Sequence, residues 1–109
     1  MTLIGEDAET TIVDGGAIGH VIHVTADNVR INGFTIQNGL GGLSLYDSDG
    51  DIIEGNILTL NGWSGIEHYH SNDNIIRENI VTSNNHAGIW LINSRNNAIT
   101  SNAVSGNSG

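Results

Sequence analysis

Residues 65–84 read GIEHYHSNDNIIRENIVTSN, and residues 88–107 read GIWLINSRNNAITSNAVSGN. Laid over one another, the two stretches share a leading Gly-Ile and three asparagine pairs: Asn74 with Asn97, Asn79 with Asn102, and Asn84 with Asn107. The offset is 23 residues, and it continues upstream through Gly19, Gly42, Gly65 and Gly88. A hydroxyl column runs Thr25, Ser48, Ser71, Ser94, and an apolar one runs Phe34, Ile57, Ile80, Ala103. The asparagine columns extend to Asn28 and Asp51, to Gly33 and Asn56, and to Asn38 and Asn61. So many columns in phase, without an insertion, mark an internal repeat. The reading is one domain over 1–109, with an irregular first coil at 1–18 and repeats at 19–41, 42–64, 65–87 and 88–109.

A period of 23 narrows the architecture. Helical repeats are longer and need helix-forming residues, whereas these segments are rich in Ile, Val, Thr and Asn. Leucine-rich repeats have the right length, but their leucine spacing is absent. One coil of this length has a perimeter of about 75 Å, which suits three short strands joined by turns. Coils then stack at about 4.8 Å, so equivalent residues form ladders. The fold class is therefore an all-β parallel β-solenoid of between four and five coils. β-branched columns fill the interior, and asparagines stand at the corners, where they tolerate left-handed backbone. The chain has no Pro, consistent with ladders that must keep their donors.

The repeated Gly-Ile-x-Leu and Asn-x-Ile-x-x-Asn pattern, clearest in Gly65–Asn84 and Gly88–Asn107, resembles the right-handed parallel β-helix repeats of the NosD-like and pectate-lyase-like superfamily. The opening Thr11-Ile-Val-Asp-Gly resembles the first coil of such domains. The resemblance spans nearly the whole chain. It implies an extracellular or cell-surface location, with the periplasm as the alternative. Functions within that superfamily range from lyases and hydrolases to stalks and accessory proteins, and fold alone does not choose among them.

Composition removes several classes. Three arginines, Arg30, Arg77 and Arg95, face 12 carboxylates, for a formal net charge of −9. Nucleic acid needs clustered basic residues, so it is excluded as a partner. No apolar run approaches the roughly 20 residues of a membrane-spanning helix, so membrane insertion is not expected. There is no Cys, hence no disulfide framework.

Strand alternation turns Ile66 and His68 inward and Glu67 and Tyr69 outward. The expected outer ladders are Val21, Ser44, Glu67, Trp90 and His23, Tyr46, Tyr69, Ile92. A face bearing His23, Tyr46, Glu67, Tyr69 and Trp90 suits a sugar, with aromatic platforms and polar tips. The resembled enzymes carry their substrate groove on this sheet. No catalytic residue is assigned: Glu67 and Asp47 stand about 11 Å apart, a poor pair for the two-carboxylate hydrolysis of glycosides. Nor does any arginine map to this sheet as a lyase base. Were the chain an enzyme, it would be a polysaccharide lyase or glycoside hydrolase. His68-x-His70, with His23 and His86 one or two coils away, does not form a recognisable copper set, and His68 reads as a core histidine bonded to a carbonyl or water. Asp47-Ser48-Asp49-Gly50-Asp51 is the densest acidic stretch. Alternating Asp with a glycine makes Asp47, Asp49 and Asp51 candidate calcium ligands, although Glu54 comes too early for a full loop. No other cofactor is expected. Glu54 and Arg77 stack one coil apart as a cross-strand pair. The leading reading is a stalk, spacer or surface-assembly module that stacks head to tail on itself or continues a longer solenoid; a carbohydrate-active module that binds or cleaves polysaccharide is the alternative.

Overall fold

The computed structural model describes residues 1–108. Short strands form three parallel sheets, one strand of each per coil. The first sheet stacks β3 (His20–Val24), β6 (Gly41–Tyr46), β9 (Ile66–Tyr69) and β12 (Ile89–Ile92). The second stacks β1 (Thr2–Ile4), β4 (Arg30–Asn32), β7 (Ile52–Glu54), β10 (Ile75–Arg77) and β13 (Ala98–Thr100). The third stacks β2 (Ile12–Asp14), β5 (Thr35–Gln37), β8 (Ile57–Thr59), β11 (Ile80–Thr82) and β14 (Ala103–Ser105). The chain is an all-β parallel solenoid. Its interior is a set of apolar columns, among them Ile31–Ile53–Ile76–Ile99 and Ile36–Leu58–Val81–Val104.

The corners follow one rule. Each ladder residue is preceded by a residue with positive φ: Gly50, Asp73 and Asn96 before Asp51, Asn74 and Asn97; Gly55, Glu78 and Ser101 before Asn56, Asn79 and Asn102; Leu60, Ser83 and Gly106 before Asn61, Asn84 and Asn107. The left-handed residue bends the chain sharply, and the asparagine after it turns its amide inward. There the amide oxygen accepts the backbone N–H of the equivalent residue one coil earlier, as Asn79 Oδ1 does from Asn56 at 3.0 Å. Its Nδ2 donates to a carbonyl near that corner, as Asn79 does to Ile53 at 3.0 Å. Backbone groups that the bend would orphan are thus satisfied.

From Gly41 onward every strand pairing keeps the 23-residue step, but several earlier pairings do not. Strands β4 and β5 pair with β7 and β8 at an offset of 22, and β3 pairs with β6 at 21. The asparagine columns therefore end on Val29, Phe34 and Gly39, whose backbone N–H groups donate to Asp51, Asn56 and Asn61 at 2.7, 3.0 and 3.0 Å. Asn28, Gly33 and Asn38, expected in those columns, instead hold the positive-φ places one residue earlier. The expected absence of insertions is also corrected. β1 pairs with β4 at an offset of 28, and β2 with β5 at 23. The extra residues form a turn closed by Thr11 N–H on the Asp7 carbonyl at 2.8 Å, and Thr35 Oγ1 donates to Ala8 within it. Residues 1–18 thus carry two paired strands.

Glu54 is buried and held from both sides. Arg77 Nε donates to Oε2 at 2.7 Å, and Arg30 donates to Oε1, which Asn32 also reaches at 3.3 Å. Hydrogen bonds from Arg30 and then Arg77 hold its carboxyl below the usual range. A depressed carboxylate stabilises the fold at neutral pH, and that contribution is lost as pH falls through the folded-state value. Glu54→Gln is expected to cost about 1–2 kcal/mol near neutrality, the scale of hydrogen bonds to charged groups, because both arginines remain partly hydrated. Urea midpoints should converge with wild type as the pH is lowered below 4; an unchanged midpoint at pH 7 would show the ion ladder to be idle.

Candidate functional site

The outer face of the first sheet gathers most of the chain's aromatic and imidazole rings. Pairing of β6, β9 and β12 builds the expected ladders Ser44–Glu67–Trp90 and Tyr46–Tyr69–Ile92. The 21-residue offset of β3 alters their first members. His23 pairs with Ser44 rather than Tyr46. Its ring still lies 6.1 Å from that of Tyr46, which lies 6.2 Å from Tyr69. His20 and His23 stack at 5.8 Å, so four rings run in a row across the coils.

Glu67 is the centre of the face. Though it points outward, it is only 2 % exposed. The hydroxyl of Tyr69 donates to Oε2 at 2.9 Å, and Nε2 of His20, two coils earlier, lies 3.2 Å from the same oxygen. Burial, then the bond to Glu67 and its charge, push the Tyr69 phenol above its ordinary value. Trp90 belongs to a neighbouring cluster. Its ring stands 5.2 Å from His86 and 6.0 Å from Trp63, while His86 stacks on Trp63 at 4.1 Å and 4°.

Of the expected residues, Glu67 and Tyr69 are brought into contact, Tyr46 and His23 adjoin them, and Trp90 stands in the second cluster. Sequence reasoning passed over His20 and Trp63, and weighed His86 only as a metal ligand. Leu40, Trp63 and His86 do keep the 23-residue step, so a column leading into the sheet was there to be read.

The acidic corner is built differently from a cation loop. Asp51 is fully buried in an asparagine column, where it accepts from Val29 N–H at 2.7 Å and from the Ser48 hydroxyl. Burial raises its carboxyl despite those bonds. Asp49 accepts from Asn72 N–H at 2.6 Å, and Asp47 is exposed. Among the described residues, no three His, Asp or Glu side chains gather where they could hold a metal ion. His68 lies wholly in the core, between Leu45 and Leu91. Neither ring nitrogen has a protein hydrogen-bond partner among the described residues, so the expected bond to a carbonyl is not made. Burial pushes its imidazole down to about 4.

Short coils, asparagine-laddered corners and one ring-bearing outer face define a repetitive parallel β-solenoid. The family model described as periplasmic copper-binding protein (NosD) matches residues 6–109. The chain belongs to the NosD family. No curated protein and no solved structure matches it. The family is periplasmic, and no helix among the described residues is long and apolar enough to cross a membrane. The chain is a solenoid module of the extracellular or periplasmic space.

Proposed function

We propose that this module serves as a structural link, with further coils of the same kind docking on its end faces to make a continuous solenoid. The uncovered interior carries the reading. Ile99 and Val104 continue the buried columns of Ile76 and Val81, yet stand 39 % and 47 % exposed. At the opposite end, Met1, Leu3, Ile22, Val24, Val29 and Ile31 line an apolar cleft of about 240 Å³. Exposed apolar columns beside unpaired strand edges are templates for another strand. A second copy docked head to tail supplies matching columns, in a contact that need not close. Sedimentation velocity should show concentration-dependent association that salt promotes, since the −9 charge is screened over about 8 Å at physiological ionic strength. Ile99→Asp should abolish it. A monomer at every concentration and salt would defeat self-stacking.

A second reading rests on the clustered rings of Trp63, His86 and Trp90 beside Glu67: the first sheet as a polysaccharide-binding surface. Trp90→Ala should then abolish glycan-array binding and leave the melting temperature almost unchanged, whereas Tyr69→Ala should abolish binding and also lower it, because it removes the donor to buried Glu67. A fall of several degrees in Trp90→Ala with no binding to lose would make the rings packing groups. The contacts of Glu67 are a phenol and an imidazole rather than a second carboxylate, so the reading is of binding and not of two-carboxylate hydrolysis.

The copper in the family's description does not fit the donors of this chain. Thiolate and thioether ligands suit Cu(I), but there is no Cys and one Met. Imidazoles suit copper too, but they are dispersed: His68 in the core, His86 on Trp63, His20 on Glu67. His20 and His23 stand side by side, but among the described residues no third His, Asp or Glu joins them to complete a site.

A further inference from the structure

A cleft of about 270 Å³ opens between the turns of successive coils that carry Leu40 and Trp63 and the outer face of the first sheet; His20, Gly41, Glu67 and Tyr69 complete its lining. Residue 41 is glycine for space rather than for backbone geometry, because its φ is not positive. A Cβ there would come 2.6 Å from His20 Cδ2 and 3.5 Å from Glu67 Oε1. Oε1 therefore lies over the glycine floor. Both close contacts of the Glu67 carboxylate, Tyr69 and His20, are on Oε2. Oε1 has no hydrogen-bond partner among the described residues. A buried carboxylate oxygen is costly unless a donor reaches it.

The walls select the donor. One face of Trp63 is covered by His86, and Trp63 and Tyr69 both line the cleft. Aromatic faces carry partial negative charge and attract cations. The net charge of −9 draws cations to the surface and repels anions. We propose that this cleft binds a small organic ammonium group, its N–H donated to Glu67 Oε1 and its carbon skeleton laid against Trp63 and Tyr69. A neutral sugar hydroxyl reaching Oε1 would draw on neither the protein's field nor the charge of the ring faces. The cleft is separate from the end faces, so it stands or falls independently of end-to-end docking.

The test is titration of the intact chain with n-butylammonium chloride, n-butanol, glucosamine and glucose, following the indole N–H resonance of Trp63 by NMR with sodium chloride as the ionic-strength control. A saturable shift is expected with n-butylammonium and glucosamine, and binding at least about tenfold weaker with n-butanol and glucose. Binding to glucosamine as well as to n-butylammonium would mean that the site accepts the ammonium on a sugar as readily as on a free amine. Glu67→Gln, which keeps the side chain's size, should weaken n-butylammonium by at least about tenfold. Trp63→Ala, at a position 42 % exposed and read by the backbone amide resonance of Gly41 in the same cleft, should do the same in a chain that keeps the wild-type circular dichroism. Equal binding of n-butanol and n-butylammonium, glucose binding as tightly as glucosamine, a shift reproduced by sodium chloride, or undiminished binding in both variants would overturn the assignment.

Discussion

His68→Leu is expected to raise the melting temperature and to remove most of the acid sensitivity of the domain between pH 6.5 and 4. In the folded chain the imidazole lies in the core with an imidazole pKa of about 4. In the unfolded chain it titrates near 6.5. The unfolded state therefore takes up a proton first as pH falls, and the folded state loses stability across that window. The gap of about 2.5 units corresponds to about 3 kcal/mol, fully present above pH 6.5 and lost by about pH 4. Leucine at this position would continue the column of Leu45 and Leu91. It would also remove two buried nitrogens that lack protein partners among the described residues, a gain of about 1–3 kcal/mol at neutral pH. Thermal melts from pH 8 to pH 4 should show wild type falling steeply below pH 6.5 and the variant staying higher and flatter. Parallel curves would mean that another group governs acid stability.

Ile76→Asp is expected to unfold the domain, whereas Ile80→Asp, four residues on, should be nearly silent. Ile76 is fully buried, paired with Ile53 in the preceding coil and Ile99 in the next. A carboxylate there, with no partner of opposite charge, costs several kcal/mol, a large part of the 5–15 kcal/mol typical of a domain. Ile80 points outward from β11 and is 47 % exposed. Substitution there should stay within about 0.5 kcal/mol. Circular dichroism and urea titration separate the cases. Equal damage from both variants would contradict the inward and outward assignment of the coil.

From Gly41 onward, the asparagine columns in the chain are the ladders in the fold. The first repeat misleads by one residue, for a physical reason. Asn28 and Asn38 match the ladder asparagines in identity, but asparagine is also the residue that best tolerates left-handed backbone. In this coil it takes the bend, and Val29 and Gly39 take the ladder places. The same slip hides Arg30 from the Glu54 pair, because a strict step of 23 aligns Glu54 with Ile31. Asp51 shows the opposite case. Its place in an asparagine column was legible in the sequence, yet the local alternation of acids made it a candidate cation ligand; the structure buries it against Val29 and Ser48.

Equal spacing of like residues was enough to determine the period, the parallel stacking and the inward columns. Those properties depend only on which residues lie one above another, and a constant step specifies that. The cleft at Glu67 was decided by tertiary structure. It requires His20 to cross two coils, which depends on the shortened register of β3 and on the missing side chain at Gly41. It also requires the turn before each first-sheet strand to bring Trp63 over the outer face, although Trp63 stands in a different column from Glu67. Such lateral contacts are set by how far each corner swings, and a repeat period carries no information about that.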